Sequence, residues 1–382
     1  MIFAPTDSQK VFLHPERLAN WMRDGRSFPV TIELDATNAC NHACSFCCWS
    51  VLHDLHRDTM SEELLLKIID DLVRVGVKGV IWTGGGEPLA NKHTPSAMAR
   101  VHAAGLRNAL FTNGALITPE MAGGLVRTCE WVRFSLAAGT RSEYQRIQGV
   151  DDFDKVKRNI ELMVELARRQ DSSIRLGAMM LLHKSSLSTF LPFVETCRDL
   201  GLDFAQGKPS NNYDHETRSM YIQARNVRMR RRSGDLDAEI DHQTTDYDPE
   251  WWQCEAVPLL QQASELSTST FSVVTSQYVE MKYGEDALVT DEHHDCDVNN
   301  FTTAITASGD VVWCKNYRDR PEFVIGNLRE QTMEEIWASE RRAAVQASID
   351  TRACAQFCQN KKLVRLLRSV RHPDPALNPN FL

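Results

Sequence analysis

The strongest constraint on this chain is a rhythm: between residues 30 and 210, short β-branched runs alternate with helical patterns, each pair joined by turn residues. That alternation builds repeated βα units around a parallel sheet, because a crossover helix is needed to bring each strand back in the same direction. Six runs predict strands: VTIELDA (30–36), GVIWTG (79–84), NALFTN (108–113), WVRFSLA (131–137), IRLGAMML (174–181) and DFAQGK (203–208). The first helix between them is the clearest. Thr59 and Glu62 have capping-box spacing, Leu64, Leu65, Ile68, Ile69, Leu72 and Val73 form one apolar stripe, and Gly76 suits the left-handed residue that ends a helix. Similar stripes recur at 155–169 and 186–200. Six right-handed βα units predict an α/β fold, an open partial (β/α)6 barrel whose ligands gather at the carboxyl ends of the strands.

Around the barrel (30–210) the sequence divides into an N-terminal extension (1–29), a bridging segment (211–295) and a smaller C-terminal α+β domain (296–382). The bridging segment is polar and holds VRMRRRSG (227–234) and a Thr/Ser-rich strand-like piece (267–279). The last domain carries four cysteines, a hairpin pattern TAITASGDVVWC (303–314) and a helical stretch (332–347). No apolar run approaches the roughly 20 residues of a membrane span, and the start lacks the order of a secretory signal. The expected compartment is the cytoplasm, with no membrane partner. A formal charge of −8 argues against general affinity for nucleic acid.

Eleven cysteines in such a compartment are read as metal ligands or buried side chains rather than disulfides. Cys48, Cys129, Cys197 and Cys254 are read as ordinary buried or free thiols. Cys40, Cys44 and Cys47 stand at C-x3-C-x2-C spacing directly after the first predicted strand. Three thiolates so close can hold three irons of a [4Fe–4S] cube and leave the fourth open to a chelating ligand. A structural zinc site completed by His42 or Cys48 is the alternative these cysteines alone leave open.

CNHACSFC (40–47), with Phe46 in the aromatic position, resembles the signature of the radical S-adenosylmethionine (SAM) superfamily. WTGGGEP (82–88), FTNG (111–114), SLAAGTRSEYQRIQG (135–149) and LGAMMLLH (176–183) are similar, in order, to that family's second- to fifth-strand elements, over roughly residues 32–208. The resemblance implies a SAM site. In it, Gly84, Gly85 and Gly86 let backbone approach a bound amino acid, and Glu87 accepts from its ammonium group. Thr112, Asn113 and Ser135 bind the ribose and carboxylate, Arg146 pairs with that carboxylate, and Phe46 lies beside the adenine. Ala137 departs from the pattern, since relatives commonly have Asp there, and a polar group is thereby lost from the cavity.

GDVVWC (309–314) resembles the Gly-x4-Cys hairpin of SPASM and twitch domains. This implies a second [4Fe–4S] cluster, fully ligated by Cys296, Cys314, Cys354 and Cys358. The cysteine count fits the single-cluster twitch form, with spacing similar to twitch-domain aminocyclitol dehydrogenases. A four-cysteine zinc site is the alternative.

The implied chemistry is reductive cleavage of SAM, fed by an electron donor such as flavodoxin or ferredoxin, to a 5′-deoxyadenosyl radical that takes hydrogen from an unactivated C–H bond. A closed second cluster suits acceptance of an electron from the substrate radical, giving oxidation or epimerisation. About thirty residues precede the first strand, too few for the leader-peptide module of many peptide-modifying relatives. The expected substrate is therefore a small polar metabolite: a sugar, aminocyclitol or nucleotide-linked sugar. The alternative is maturation of a ribosomal peptide. Lys208, at the sixth strand tip, is the candidate grip for a substrate phosphate or carboxylate, whereas Arg228, Arg230, Arg231 and Arg232 read as a solvated basic helix.

Overall fold

The structure, a computed structural model, describes residues 8–47, 49, 52–53, 56–184, 186–209, 249–275, 294–354, 358 and 360–372. After helix α1 (Pro15–Asp24), the βα rhythm runs as expected: β1 (Thr31–Asp35), α2 (Glu62–Arg74), β2 (Gly79–Thr83), α3 (Thr94–Ala103), β3 (Arg107–Thr112), α4 (Pro119–Thr128) and β4 (Cys129–Phe134). It continues with α5 (Arg141–Gln148), α6 (Phe153–Arg169), β5 (Arg175–Leu182), α7 (Phe190–Asp199) and β6 (Phe204–Pro209). Each strand is parallel to the one before it.

The helical layer closes over one face of the sheet. Ile32 and Leu34 of β1 meet Leu65, Ile68, Ile69 and Leu72 of α2, all fully buried, and each such side chain contributes about 1.5–3 kcal/mol. The helix start differs from the expected capping box. Ser61 is the N-cap, its side chain accepting from the Leu64 backbone, because Thr59 is already taken by a bridge to Thr37. Val73 lies 40% exposed, off the buried stripe, while Gly76 takes the left-handed conformation at φ 74°.

Two additions extend the sheet beyond six strands. Part of the Thr/Ser-rich piece forms β7 (Ser272–Val274), a seventh parallel strand beside β6, introduced by α8 (Val257–Ser264). On the other side, β8 (Thr302–Ile305) pairs parallel with β1, and the hairpin continues through β9 (Asp310–Val312) to β10 (Val324–Asn327). One ten-stranded sheet results, in the order β10-β9-β8-β1-β2-β3-β4-β5-β6-β7. The arginine-rich run and residues 276–279 lie outside the described residues, as does Cys48.

The helical stretch expected at 332–347 is two helices, α9 (Met333–Ala338) and α10 (Glu340–Ser348), broken where extended Ser339 caps the second. Helix α11 (Lys361–Arg371) then packs with the N-terminal extension: Val11 and Trp21 join Val298, Phe301, Val364 and Leu367 in a second small core. Among the described residues no helix is long and apolar enough to cross a membrane.

Candidate active site

The first cysteine loop leaves β1 through a closed neck. The Asn38 amide donates to the Asp58 carbonyl (2.8 Å) and the Met60 amide to Ala36 (3.0 Å), while the buried Asn91 side chain donates to both Ala36 and Met60 carbonyls at 3.0 and 2.9 Å. Beyond the neck the loop lies across the carboxyl ends of the strands. The Ala39 carbonyl accepts from the Glu87 amide (2.9 Å), and the Asn41 side-chain oxygen accepts from Asn113 Nδ2 (2.8 Å). The amides of Ala43 and Ser45 donate to the carbonyls of Gln148 and Ile147 at the end of α5 (3.1 and 2.8 Å). Phe46 faces His183, just past β5, with ring centroids 5.9 Å apart. The structure thus brings Cys40, Cys44, Cys47 and Phe46 to the tips of β2, β3 and β5 and the C-terminus of α5.

The glycine turn serves this docking directly. A Cβ on Gly84 would meet Asp35 at 2.5 Å, one on Gly85 would meet the Asn38 side chain at 2.3 Å, and one on Gly86 would meet the Ala39 carbonyl at 2.2 Å. These three glycines let the turn approach the end of β1 and the stem of the cysteine loop closely. His53 also bonds the Gly85 carbonyl.

Glu87 follows the glycine turn. It is 3% exposed, and its oxygens accept from Thr112 Oγ1 (2.7 Å), the Asn113 amide (2.7 Å) and the Leu89 amide (3.2 Å). It ties β2 to β3. Burial pushes its carboxyl up to about 7 against those hydrogen bonds. The Arg146 guanidinium is paired with Glu143 one turn earlier in α5. The Ser135 carbonyl accepts from Gln148 Nε2 at 2.6 Å. Ala137 adopts φ 56° just beyond β4.

The sequence reading missed Gln148, which is fully buried and is the hub of this region. Its Oε1 accepts from the Cys44 thiol (2.6 Å) and faces His42 Nδ1 (3.4 Å). Its only sequence signal was its place at the end of the quoted segment, two residues beyond Arg146.

The C-terminal cysteines gather too. Burial raises all four thiols, Cys314 and Cys354 to about 12; neighbouring cysteines raise Cys296 (Cys314, Cys358 and Cys354), Cys314 (Cys358 and Cys354) and Cys354 (Cys358) further, whereas Lys315, Lys208 and Lys361 act the other way on Cys358. Cys296, Cys314 and Cys358 each receive a hydrogen bond from the amide two residues ahead, Val298, Asn316 and Asn360. The His42 amide reaches Cys40 Sγ likewise, at 3.5 Å. Amides aimed at sulfur favour thiolates, and a bound cation would offset the burial that raises these thiols. The donor sets therefore fit metal-bound thiolates in kind and place. As free thiols, with Cys44 still donating its proton, no three His, Cys, Asp or Glu side chains converge as a ready metal site among the described residues.

Polar groups also stand on the inner face of the sheet. Arg133 of β4 lies 3.7 Å over the Phe111 ring of β3 and donates to Gln206 of β6 (2.9 Å), with Trp131 packed on Phe111 at 5.1 Å. Strand alternation places Arg133 on the face of Ser135. Lys208 of β6 is buried, and its charge acts on Cys358.

The radical SAM superfamily model matches residues 34–197, and that of the SPASM iron–sulfur cluster-binding domain matches residues 296–360. Among curated proteins, dTDP-4-amino-4,6-dideoxy-D-glucose ammonia-lyase of Streptomyces venezuelae is 26% identical over 191 residues, covering 47% of this chain and 38% of that one. The mycofactocin maturase MftC of Mycobacterium tuberculosis is 33% identical over 150 residues, covering 38% of this chain and 37% of its own. The chain spans less than half the length of the curated relatives it matches, down to 29% for the GTP 3′,8-cyclase of Geobacter sulfurreducens. In fold, the chain is similar to Streptococcus suis SuiB bound to S-adenosylmethionine, with a TM-score of 0.62 at 14% identity over 91% of this chain and 78% of that one.

Proposed function

From the premise that this chain belongs to the radical SAM superfamily and ends in a SPASM domain, with SAM and iron–sulfur clusters as cofactors, we propose that it oxidises or epimerises a small anionic metabolite, such as a nucleotide-linked sugar. The supporting observation is the inner face of the barrel, where Arg133 is stacked on Phe111 and steadied by Gln206. A fixed guanidinium suits a phosphate or carboxylate. The similarity to a dTDP-sugar lyase points the same way.

In this reading Cys40, Cys44 and Cys47 hold the open cluster, and Cys296, Cys314, Cys354 and Cys358 hold a single closed one, the twitch-like count. When bound, the first cluster and SAM supply a one-electron carbon–sulfur cleavage and a carbon radical able to take hydrogen from an unactivated C–H bond. Phe46, Asn113 and Ser135 border SAM, while Gly84, Gly85, Gly86, Glu87 and Thr112 form the floor beneath it. Arg146 reaches the SAM carboxylate by exchanging Glu143 for it. Arg133 orients the substrate below, and the Phe111–Trp131 wall keeps water from the reacting carbon. Lys208 sits on the side of the closed cluster. An electron donor of flavodoxin or ferredoxin type, and a reducing cytoplasm, complete the requirements.

The test is anaerobic reconstitution with iron and sulfide counted in wild type and in the Cys40/Cys44/Cys47→Ala triple variant. Two cubes should fall to one, and deoxyadenosine release should vanish. Wild-type release should rise with a responsive nucleotide-linked sugar. A colourless protein holding zinc and no sulfide would sink the assignment. Similarity to MftC favours a second reading, peptide maturation, which a neighbouring precursor peptide that raises SAM cleavage would establish over the first.

A further inference from the structure

A buried ionic cluster joins the two cysteine sets. From β1 come two carboxylates, Glu33 and Asp35, and from the turn after Cys314 come two cations, Lys315 and Arg318. Lys315 Nζ lies 2.6 Å from Glu33 Oε1, Arg318 lies 2.5 Å from Glu33 Oε2, and Arg318 Nε lies 3.0 Å from Asp35 Oδ2. None of the four side chains is more than 11% exposed. Arg318 also donates to the Lys315 carbonyl at 2.7 Å, which curls the turn on itself. Its guanidinium carbon stands 5.3 Å from the ring centre of Trp49, two residues past Cys47.

A single guanidinium therefore touches the strand that launches the first cysteine loop, the loop itself, and the turn that begins at Cys314. Four charges withdrawn from water return little net stability, since the desolvation cost offsets most of their attraction. What they impose is one register: any slide of the turn along β1 leaves a buried charge uncompensated. We propose that Arg318, gripped by Glu33 and Asp35, is a positioning residue that locks the Cys314 turn onto β1 and so fixes the C-terminal cysteine set relative to the Cys40–Cys47 loop. The lock is a property of the cluster-free chain, and only its consequence for electron transfer rests on the function proposed above.

The full chain, cluster-free and reduced, is treated with iodoacetamide, and alkylation of each cysteine is timed by peptide mass spectrometry. In Arg318→Met and Glu33→Gln, Cys314 should react at least tenfold faster than in wild type. Cys129 and Cys197, buried in the barrel core, should stay protected. Arg318→Lys, which keeps a cation for Glu33, should return the Cys314 rate at least halfway to wild type. After reconstitution, the electron paramagnetic resonance signal of the C-terminal cluster should shift in Arg318→Met, measured in the Cys40/Cys44/Cys47→Ala background so that no other cluster contributes. Should Arg318→Met expose Cys197 and prove misfolded, Glu33→Gln, nearly isosteric and with both cations retained, decides. An unchanged Cys314 rate in a folded variant overturns the lock. Failure of the wild type to cleave SAM would overturn the proposed function and leave the alkylation result standing.

Discussion

The side-chain oxygen of Gln148 lies 2.6 Å from the sulfur of Cys44, and the same amide's nitrogen lies 2.6 Å from the Ser135 carbonyl. One buried side chain thereby fastens the cysteine loop to the tip of β4. Replacement by Ala removes the donor to the Ser135 carbonyl and one hydrogen bond of the Cys44 thiol, at a cost of about 1–3 kcal/mol. Chemical denaturation of Gln148→Ala should show that loss, and reconstitution should show weaker iron retention with the C-terminal set unaffected.

Glu87 titrates at about 7 in the fold, against an ordinary carboxylate value of 4.5. Because the folded value is raised, the stability this group contributes is fully present below about pH 4.5 and is lost as pH rises through about 7. The slope between those limits is at most about 1.4 kcal/mol per pH unit. Denaturation midpoints of wild type and Glu87→Gln should therefore converge in acid and separate toward neutrality, with wild type losing more. Parallel pH profiles would refute the raised value.

Two glycines make a paired test of packing. Gly86→Ala drives a methyl into the Ala39 carbonyl, and backbone cannot retreat as a flexible side chain can, so a loss of at least about 3 kcal/mol is expected, with failure to hold iron at the first set. Gly124→Ala, in α4 with nothing within 4 Å of the added carbon, should instead raise stability by about 0.5–1 kcal/mol. Thermal melts of the cluster-free chains distinguish the two.

Asn91 clamps the neck of the cysteine loop by donating to Ala36 and Met60 together. Asn91→Leu removes both donors and leaves the Met60 carbonyl without this partner, while the Ala36 carbonyl keeps the Met60 amide, and should cost about 1–3 kcal/mol. Limited proteolysis should then cut within residues 48–58 sooner than in wild type.

Much of this arrangement was legible because period and chemistry agreed locally. Each of the six expected strands appears within about three residues of its boundary, since β-branched runs between helical stripes leave little choice. Pairing partners were harder. Thr59 has cap chemistry equal to that of Ser61, and only its bridge to Thr37 across the loop neck excludes it. The break at Ser339 was hidden because no Gly or Pro marks it, and within the strand-like piece at 267–279 the bounds of β7 were not legible. At the site, sequence order found the cysteines and the strand tips. It could not tell that Gly84, Gly85 and Gly86 pack against Asp35, Asn38 and Ala39 or that Glu87 ties β2 to β3, because both facts depend on which segments meet in space. Glu33 and Arg318 are 285 residues apart, and nothing local announces a pair at that separation.

The parallel pairing of β8 with β1 has a cost during synthesis. A ribosome that has delivered the whole barrel has still not made residues 302–305, so the nascent sheet presents the hydrogen-bonding edge of Thr31–Leu34 to its surroundings for the time needed to add the intervening stretch. An uncovered edge invites pairing with another chain. The burden of chaperoning this chain should therefore fall at β1 and end only when residues 302–305 emerge.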